Sequence, residues 1–444
     1  MVSRIPYHLN FILVFCSLLV AQSWLSSVSY GSEDLPLSIE GSVVERVIGG
    51  LESPTGISFV GPNDILAIEK NRGTVLRIVN GEILPEPLLR LNVANEVERG
   101  LLGIAVSNGS FGGKNYVFLF YTEAEGEIGE GREEKDNGDG DQRNGGIDRS
   151  EPLGNRLYRY EFSEDGTKLV NPKLLLDLPY EPGPAHNGGV VVVGYDNNVY
   201  VVVGNMLANA EDRFDGDSLD QNIKNGKAPD GRGGILRVTQ DGQIVDGKGI
   251  LGDEHPLDMY YAYGIRNGFG LDFDPVTGNL WDTENGGNDE INLVEPGFNS
   301  GWEKVSGKAS LQEDFDESDL VDFDGKGTYS DPEFTWEPKS DFRIAPTSIA
   351  FLDSNKFGEQ YENNIFVGDV RGNVYHFNLN QDRTILLLDG PLKDKVANDF
   401  SEIEDLIFAK FPGIITDLEV GPDGYLYALL YDRGELFRIV PSSQ

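Results

Sequence analysis

One unit recurs six times along this chain of 444 residues: an apolar strand, an Asx/Gly turn, a second apolar strand, and a later strand reading roughly Gly-x-apolar-x-Arg-apolar. The first copy, TGISFVGPNDILAIEKNRGTVLRIVNGE, starts at Thr55, and the second runs from GLLGIAVSNGSFGGKNYVFLFYT at Gly100 to NRLYRYEFSEDG. GGVVVVGYDNNVYVVVGN starts at Gly188 and closes with GGILRVTQDGQ; FGLDFDPVTGNLWDTENGGNDEINLVEPG starts at Phe269. The fifth, TSIAFLDSNKFGEQYENNIFVGDVRGNVYHFNL, begins at Thr347, and TDLEVGPDGYLYALLYDRGELFRIV begins at Thr416. A small antiparallel sheet cannot bury both faces alone, but radial packing against like neighbours can. The pattern predicts an all-β fold over 40–444, a six-bladed β-propeller of four-stranded antiparallel blades whose first and last blades close the ring and hide strand edges. A pair of β-sandwiches explains the strands but not six copies with one internal order.

The N-terminus reads differently. Arg4 precedes an apolar run from Leu9 to Val20, followed by a Ser-rich stretch from Ser23 to Ser32. A basic start, a short apolar centre and small residues describe an export signal over 1–31, with an uncleaved N-terminal anchor as the alternative; a spanning helix wants about 20 apolar residues. Secretion, or at least an extracytoplasmic location, follows as an expectation. The sole cysteine, Cys16, lies in this leader, so a cleaved product has no disulfide or thiolate metal site.

A net charge of −38 disfavours nucleic acid and anionic lipid headgroups and favours cations or neutral ligands. Any membrane contact would then run through the N-terminal anchor. The segment 123–151, almost wholly Gly, Glu, Asp, Asn, Arg and Lys, reads as a solvated low-complexity insertion whose spacing fits no EF-hand. Glu313 to Asp324 reads as a second surface insertion, and Asn108-Gly109-Ser110 is a glycosylation acceptor pattern.

Three features carry candidate chemistry. His186, in GPAHNGGV, stands just before the third unit, where a propeller aims side chains at its central channel; a turn-capping histidine is the alternative. Arg266-Asn267, in YAYGIRNGFGLDF, stand in the same place of the fourth unit and suit a carboxylate or a polarised oxygen, or a structural ion pair. The run Glu284-Asn285-Gly286-Gly287-Asn288-Asp289-Glu290 offers carboxylates and carbonyls to a hard cation such as calcium, or is a plain acidic turn.

From about Ile48 to Val440 the chain resembles the soluble glucose/sorbosone dehydrogenases, which use pyrroloquinoline quinone (PQQ). The strings that carry the resemblance are ERGLLGIAV from Glu98, HNGGVVVVG from His186, GIRNGFGLDFDPVTGNLW from Gly264, ENGGNDEINLVEPGFNSGW from Glu284 and GPDGYLYAL from Gly421. The resemblance implies that His186 is the general base for a sugar's anomeric hydroxyl while hydride passes to the quinone. It implies that Arg266, Asn267 and Glu98 contact PQQ, and that Glu284, Gly286 and Gly287 bind calcium.

The departures are specific. Gly286-Gly287 stands where relatives usually read Gly-Pro, and Gly204-Asn205 where they commonly read Gly-Asp. Gly413-Ile414-Ile415-Thr416-Asp417 lacks the basic residues that clamp the cofactor's carboxylates, and in Gly368-Asp369-Val370-Arg371 only Arg371 can serve. Two main readings stay open: an aldose dehydrogenase passing electrons to an unidentified acceptor, or a non-catalytic propeller that has lost the quinone and binds a glycan or protein. Lactone or ester hydrolysis is permitted by the fold but has no residue of its own to support it.

Overall fold

The computed structural model describes residues 37, 42–107, 109, 114–126, 151–207, 220–339 and 342–442. The expected leader at 1–31, the glycosylation pattern's Asn108 and nearly all of the expected insertion at 123–151 lie outside them. No helix among the described residues is long and apolar enough to cross a membrane; the helical turns present are 3-10 pieces of three to five residues.

Among the described residues the strands assemble into six sheets that begin where the repeats begin. Their first strands are Pro54–Gly61, Leu101–Val106, Gly188–Val193, Gly268–Phe273, Pro346–Phe351 and Ile415–Val420. Each packs against the next, and the last against the first, around a central channel. This is an all-β propeller. Closure is made by the chain ends: Ser42–Gly49 pairs antiparallel with Glu435–Pro441, adding an N-terminal strand to the C-terminal sheet.

The strands are apolar on both faces because both faces are buried. In Asn198–Val203, Val199, Val201 and Val203 face the second sheet, whereas Tyr200 and Val202 join the cluster shared with the fourth. Six such apolar clusters occur among the described residues, one between each neighbouring pair of sheets. The turns repeat a device as well. Asp196 accepts the Asn198 backbone N–H (3.0 Å) and the Tyr200 hydroxyl (2.9 Å), and Asp423 does the same for Tyr425 (3.2 Å) and Tyr427 (2.9 Å). A carboxylate that holds both its turn and the following strand sets the hairpin register.

The expectation of four-stranded antiparallel blades needs correction. Three sheets have four strands, two have five, and the third has six. The additions come from short segments at the outer edge: Phe298–Asn299 and Thr328–Tyr329 extend the third sheet and Val396–Ala397 the fourth by parallel pairing, whereas Glu82–Ile83 and Leu89–Arg90 pair antiparallel with the outer strand of the first. Covering an outer edge removes a row of unpaired backbone groups. The acidic stretch 313–324 is largely exposed, as expected, but is anchored through Leu320, which bridges Ile223.

Candidate functional site

The loops that lead into the first strands share one rim of the channel, and four of the residues singled out in the sequence meet there. His186 lies two residues ahead of its strand with a backbone φ of +58°, a left-handed conformation rare for a side chain of this size. Glu98 supplies the restraint: its Oε2 accepts the backbone N–H of His186 (2.8 Å) and of Asn187 (3.3 Å) and the side-chain N–H of Asn267 (3.1 Å). Asn267 Oδ1 accepts in turn from the Gly188 N–H (3.1 Å). One carboxylate and one amide thus tie the second, third and fourth sheets together at the histidine. Close approach of the strands below needs glycine: a Cβ on Gly103 would lie 2.0 Å from the Gly189 carbonyl.

The His186 ring is buried, with Nδ1 2.9 Å from Asn205 Oδ1. With that oxygen as acceptor, Nδ1 carries the proton and Nε2 keeps its lone pair. Burial, then the positive charge of Arg266, push the imidazole down to about 3, against a weaker opposing effect of Asn205. The ring is therefore neutral at any ordinary pH. Glu98 moves the other way: burial raises its carboxyl above the usual range, against the lowering effect of its three N–H donors and of Arg266.

Arg266 connects this histidine to the acidic turn. Its backbone N–H donates to Glu284 Oε2 (3.1 Å), its Nη1 to the Asn285 carbonyl (2.8 Å), and its guanidinium stands 5.2 Å from the centre of the Trp302 ring. Behind the turn, Asp282, Glu284 and Glu290 are buried around one amide. Asn292 Nδ2 lies 3.0 Å from Asp282 Oδ1, 3.2 Å from Glu284 Oε1 and 3.4 Å from Glu290 Oε2. Burial and mutual repulsion raise all three: Asp282 to about 8, Glu284 and Glu290 well above the usual range.

A cation would find acceptors here but no finished cage. No group of three or more His, Cys, Asp or Glu side chains among the described residues is arranged to hold a metal. Glu284 has both oxygens engaged by N–H donors, so it serves the Arg266 backbone first. The acceptors left over are Asn285 Oδ1 and Asp282 Oδ2, buried without partners, beside Gly286 and the exposed Gly287. Neutral and anionic oxygens without donors suit a hard cation such as calcium.

Arg371 is not in this network. It lies on the hairpin of the fifth sheet, its Nε donating to the Arg343 carbonyl (2.8 Å) and its guanidinium 4.7 Å from the centre of the Phe400 ring. In Gly413–Asp417, Ile415 is fully buried and the Ile414 N–H goes to Asp432 (2.8 Å), so the segment presents no cation. Asn187 and Arg343 carry no signal of their own in the sequence, and Asp289 stands out there only as part of the acidic run. Asp289 accepts the N–H of Gly286 (3.3 Å) and of Ala345 (2.9 Å), which fastens the 342–346 segment to the acidic turn. Arg343 stands three residues before its strand, as Glu98 does before Leu101 and near where His186 and Arg266 stand before theirs. Comparing the repeats in register at that position would have found it.

The family model described as Glucose / Sorbosone dehydrogenase matches residues 51–438. The chain belongs to that family. An uncharacterized protein of Synechocystis is 26% identical over 407 residues, covering 88% of this chain and 85% of that protein. Aldose sugar dehydrogenase of Escherichia coli is 29% identical over 216 residues, 47% of this chain and 51% of the relative. Quinoprotein glucose dehydrogenase B of Acinetobacter calcoaceticus is 26% identical over 274 residues, 59% and 52%. The chain thus aligns with about half the length of these two named dehydrogenases. Among solved structures, the apo form of the E. coli soluble aldose sugar dehydrogenase superposes with a TM-score of 0.64 at 22% identity, covering 90% of this chain and 99% of the other. The PQQ-bound aldose sugar dehydrogenase of Streptomyces coelicolor does so with a TM-score of 0.58 at 23% identity, covering 91% and 99%. These likenesses bear on the fold.

Proposed function

We propose that this family member is an exported, PQQ- and calcium-dependent oxidoreductase that oxidises an aldose at its anomeric hydroxyl, built as a six-bladed propeller with one blade per sheet. The observation that carries the reading is His186: neutral, fixed in one tautomer by Asn205, held by Glu98, and next to Arg266. An imidazole so placed has an Nε2 lone pair for a hydroxyl proton, which is what the alcohol-to-carbonyl step requires of the protein. PQQ, when bound, supplies the hydride acceptor. Arg266, Asn267 and Glu98 would hold its polar edge, with Arg371 supporting the rim through its bond to the Arg343 carbonyl. Arg266 can give charge-assisted bonds to a carboxylate or quinone oxygen while Glu284 and Asn285 keep its backbone and guanidinium in place. A calcium ion would be held at Gly286 and Gly287 with Asn285 and the carboxylates Glu284 and Asp282 nearby, where its charge would polarise the same oxygen. The partners are a small sugar and an electron acceptor of unassigned identity.

One observation favours a second reading, a propeller that binds a glycan or protein without the quinone: the cation-free Gly413–Asp417 segment, in a protein of net charge −38. Titration of the purified mature protein with PQQ, with and without calcium, followed by dye reduction with a panel of aldoses, separates the two. Calcium-dependent binding is expected, with turnover falling about 10²- to 10⁴-fold in His186→Ala while PQQ affinity is kept. Folded protein that takes up no PQQ at micromolar concentration with calcium present would leave the binding module.

A further inference from the structure

PQQ is a tricarboxylate, and the rim must answer its charge with cations. Arg266 is one. The structure places a second arginine, Arg343, on a segment bonded to the same acidic turn. Phe342 and Ile344 are buried in the core between the fourth and fifth sheets, and this alternation turns the intervening Arg343, half-exposed, away from that core. Ala345, with a φ of +49°, donates its N–H to Asp289 Oδ2 (2.9 Å), so the backbone carrying Arg343 is locked onto the turn. Asp289 Oδ1 also accepts the Gly286 N–H (3.3 Å), one residue past Asn285, whose carbonyl accepts from Arg266 Nη1 (2.8 Å). The segment carrying Arg343 and the guanidinium of Arg266 are therefore fastened to one turn, on the rim where His186 stands. Arg371 supports the arrangement from behind through its bond to the Arg343 carbonyl.

We propose that Arg343 is the cofactor-carboxylate clamp of this chain, taking the place of the basic residues missing from Gly413–Asp417. The assignment rests on the PQQ reading above. It makes Arg343 a binding residue, in contact with the cofactor's carboxylate, and Arg371 a positioning residue that holds the Arg343 backbone.

The test is the dissociation constant of PQQ, read by tryptophan quenching or ultrafiltration at saturating calcium, for the full mature protein and its Arg343→Ala, Arg343→Gln, Arg343→Lys and Arg371→Ala variants. The PQQ trimethyl ester, which lacks the carboxylate charges, is the second probe. A charge-assisted bond contributes about 1.5–3 kcal/mol, so Arg343→Ala and Arg343→Gln are each expected to weaken PQQ about 10- to 150-fold. Their affinity for the ester should match that of the wild type. Arg343→Lys should recover part of the loss, and Arg371→Ala should cost only a few-fold. Near-UV circular dichroism checks the fold, and Arg343→Gln decides if Arg343→Ala does not fold. PQQ affinity within twofold of wild type in Arg343→Gln, or an equal loss for PQQ and ester, overturns the clamp while leaving the dehydrogenase reading intact. A wild type that binds no PQQ overturns both.

Discussion

The same six first strands carry two different electrostatic environments. At the rim, His186, Asn267, Arg266 and Arg343 surround Glu98 and Asp289, so carboxylates face cations and backbone N–H donors. Further along the channel, Asp272, Asp417 and Glu419 occur in a lining that contains no lysine or arginine among the described residues. Their hydrogen bonds serve the ring instead. Asp417 accepts the Ile57 N–H across the sixth–first junction (2.7 Å), and Asp272 the Phe351 N–H across the fourth–fifth junction (2.8 Å). Ser58 does the same for Val106 across the first–second junction (3.2 Å). The strand bodies use polar side chains to seal neighbouring blades, while the loops ahead of them use the same residue types to aim a base. Position along the strand, more than residue type, separates structural carboxylates from those at the candidate site.

Breaking the rim should have the largest effect. Glu98→Ala removes the acceptor of three N–H donors and frees a histidine held at a positive φ. Turnover with aldoses should fall about 10²-fold or more, since a misplaced catalytic group forfeits much of its rate advantage. Thermal stability should drop too, because buried donors lose their partner. Glu98→Gln keeps one acceptor oxygen and should retain most of the activity. Equal activity in Glu98→Ala and wild type would show that the loop holds His186 without the carboxylate.

A smaller change sharpens the role of Asn205. A neutral amide fixes the imidazole tautomer but does little to stabilise the imidazolium, whereas burial and Arg266 oppose it. Asn205→Asp places an anion on Nδ1 and should raise the His186 pKa, moving the acid limb of the kcat/KM profile upward by about a unit or more. Asn205→Leu removes the tautomer restraint and should lower kcat with little change in PQQ affinity. Coincident pH profiles for Asn205→Asp and wild type would show that another group controls the acid limb.

Much of the ring was legible because it repeats. The alternation in Asn198–Val203 and the Asp-to-Tyr spacing of Asp196–Tyr200 and Asp423–Tyr427 are local patterns, visible within a few residues. The short edge strands were not. Phe298–Asn299 and Thr328–Tyr329 are two residues long, and tertiary pairing, not periodicity, defines them. The rim divides in the same way. His186, Arg266 and Asn267 stood out by their place before a strand, but their couplings cross long stretches of chain: Glu98 reaches His186 over 88 positions. Arg343 was hidden by chemistry: an arginine between two core hydrophobics reads as an ordinary surface residue until Ala345 and Asp289 are seen to join two loops.

The channel offers the mildest test of the contrast, through pH. Burial raises Asp272 and Asp417 each to about 7, against the backbone N–H bonds they accept and with further raising by neighbouring carboxylates. Glu419, which feels Asp417, Asp272 and Asp353, is raised well above the usual range. A carboxyl whose pKa is higher folded than unfolded contributes stability that is complete below about pH 4 and is lost as pH rises through its folded value. Melting temperature should therefore decline from about pH 5 to pH 8, in the window where Asp272 and Asp417 would ionise. Asp417→Asn keeps the acceptor for the Ile57 N–H and removes one titrating group, so its decline should be smaller by about 2–4 °C, measured by calorimetry across that range. The surface repulsion of a highly acidic chain acts almost equally on both proteins, so the difference isolates the channel. Identical slopes would mean that Asp417 is already ionised at pH 5, with solvent in the channel carrying its charge, and the contrast with the rim would then rest on geometry alone.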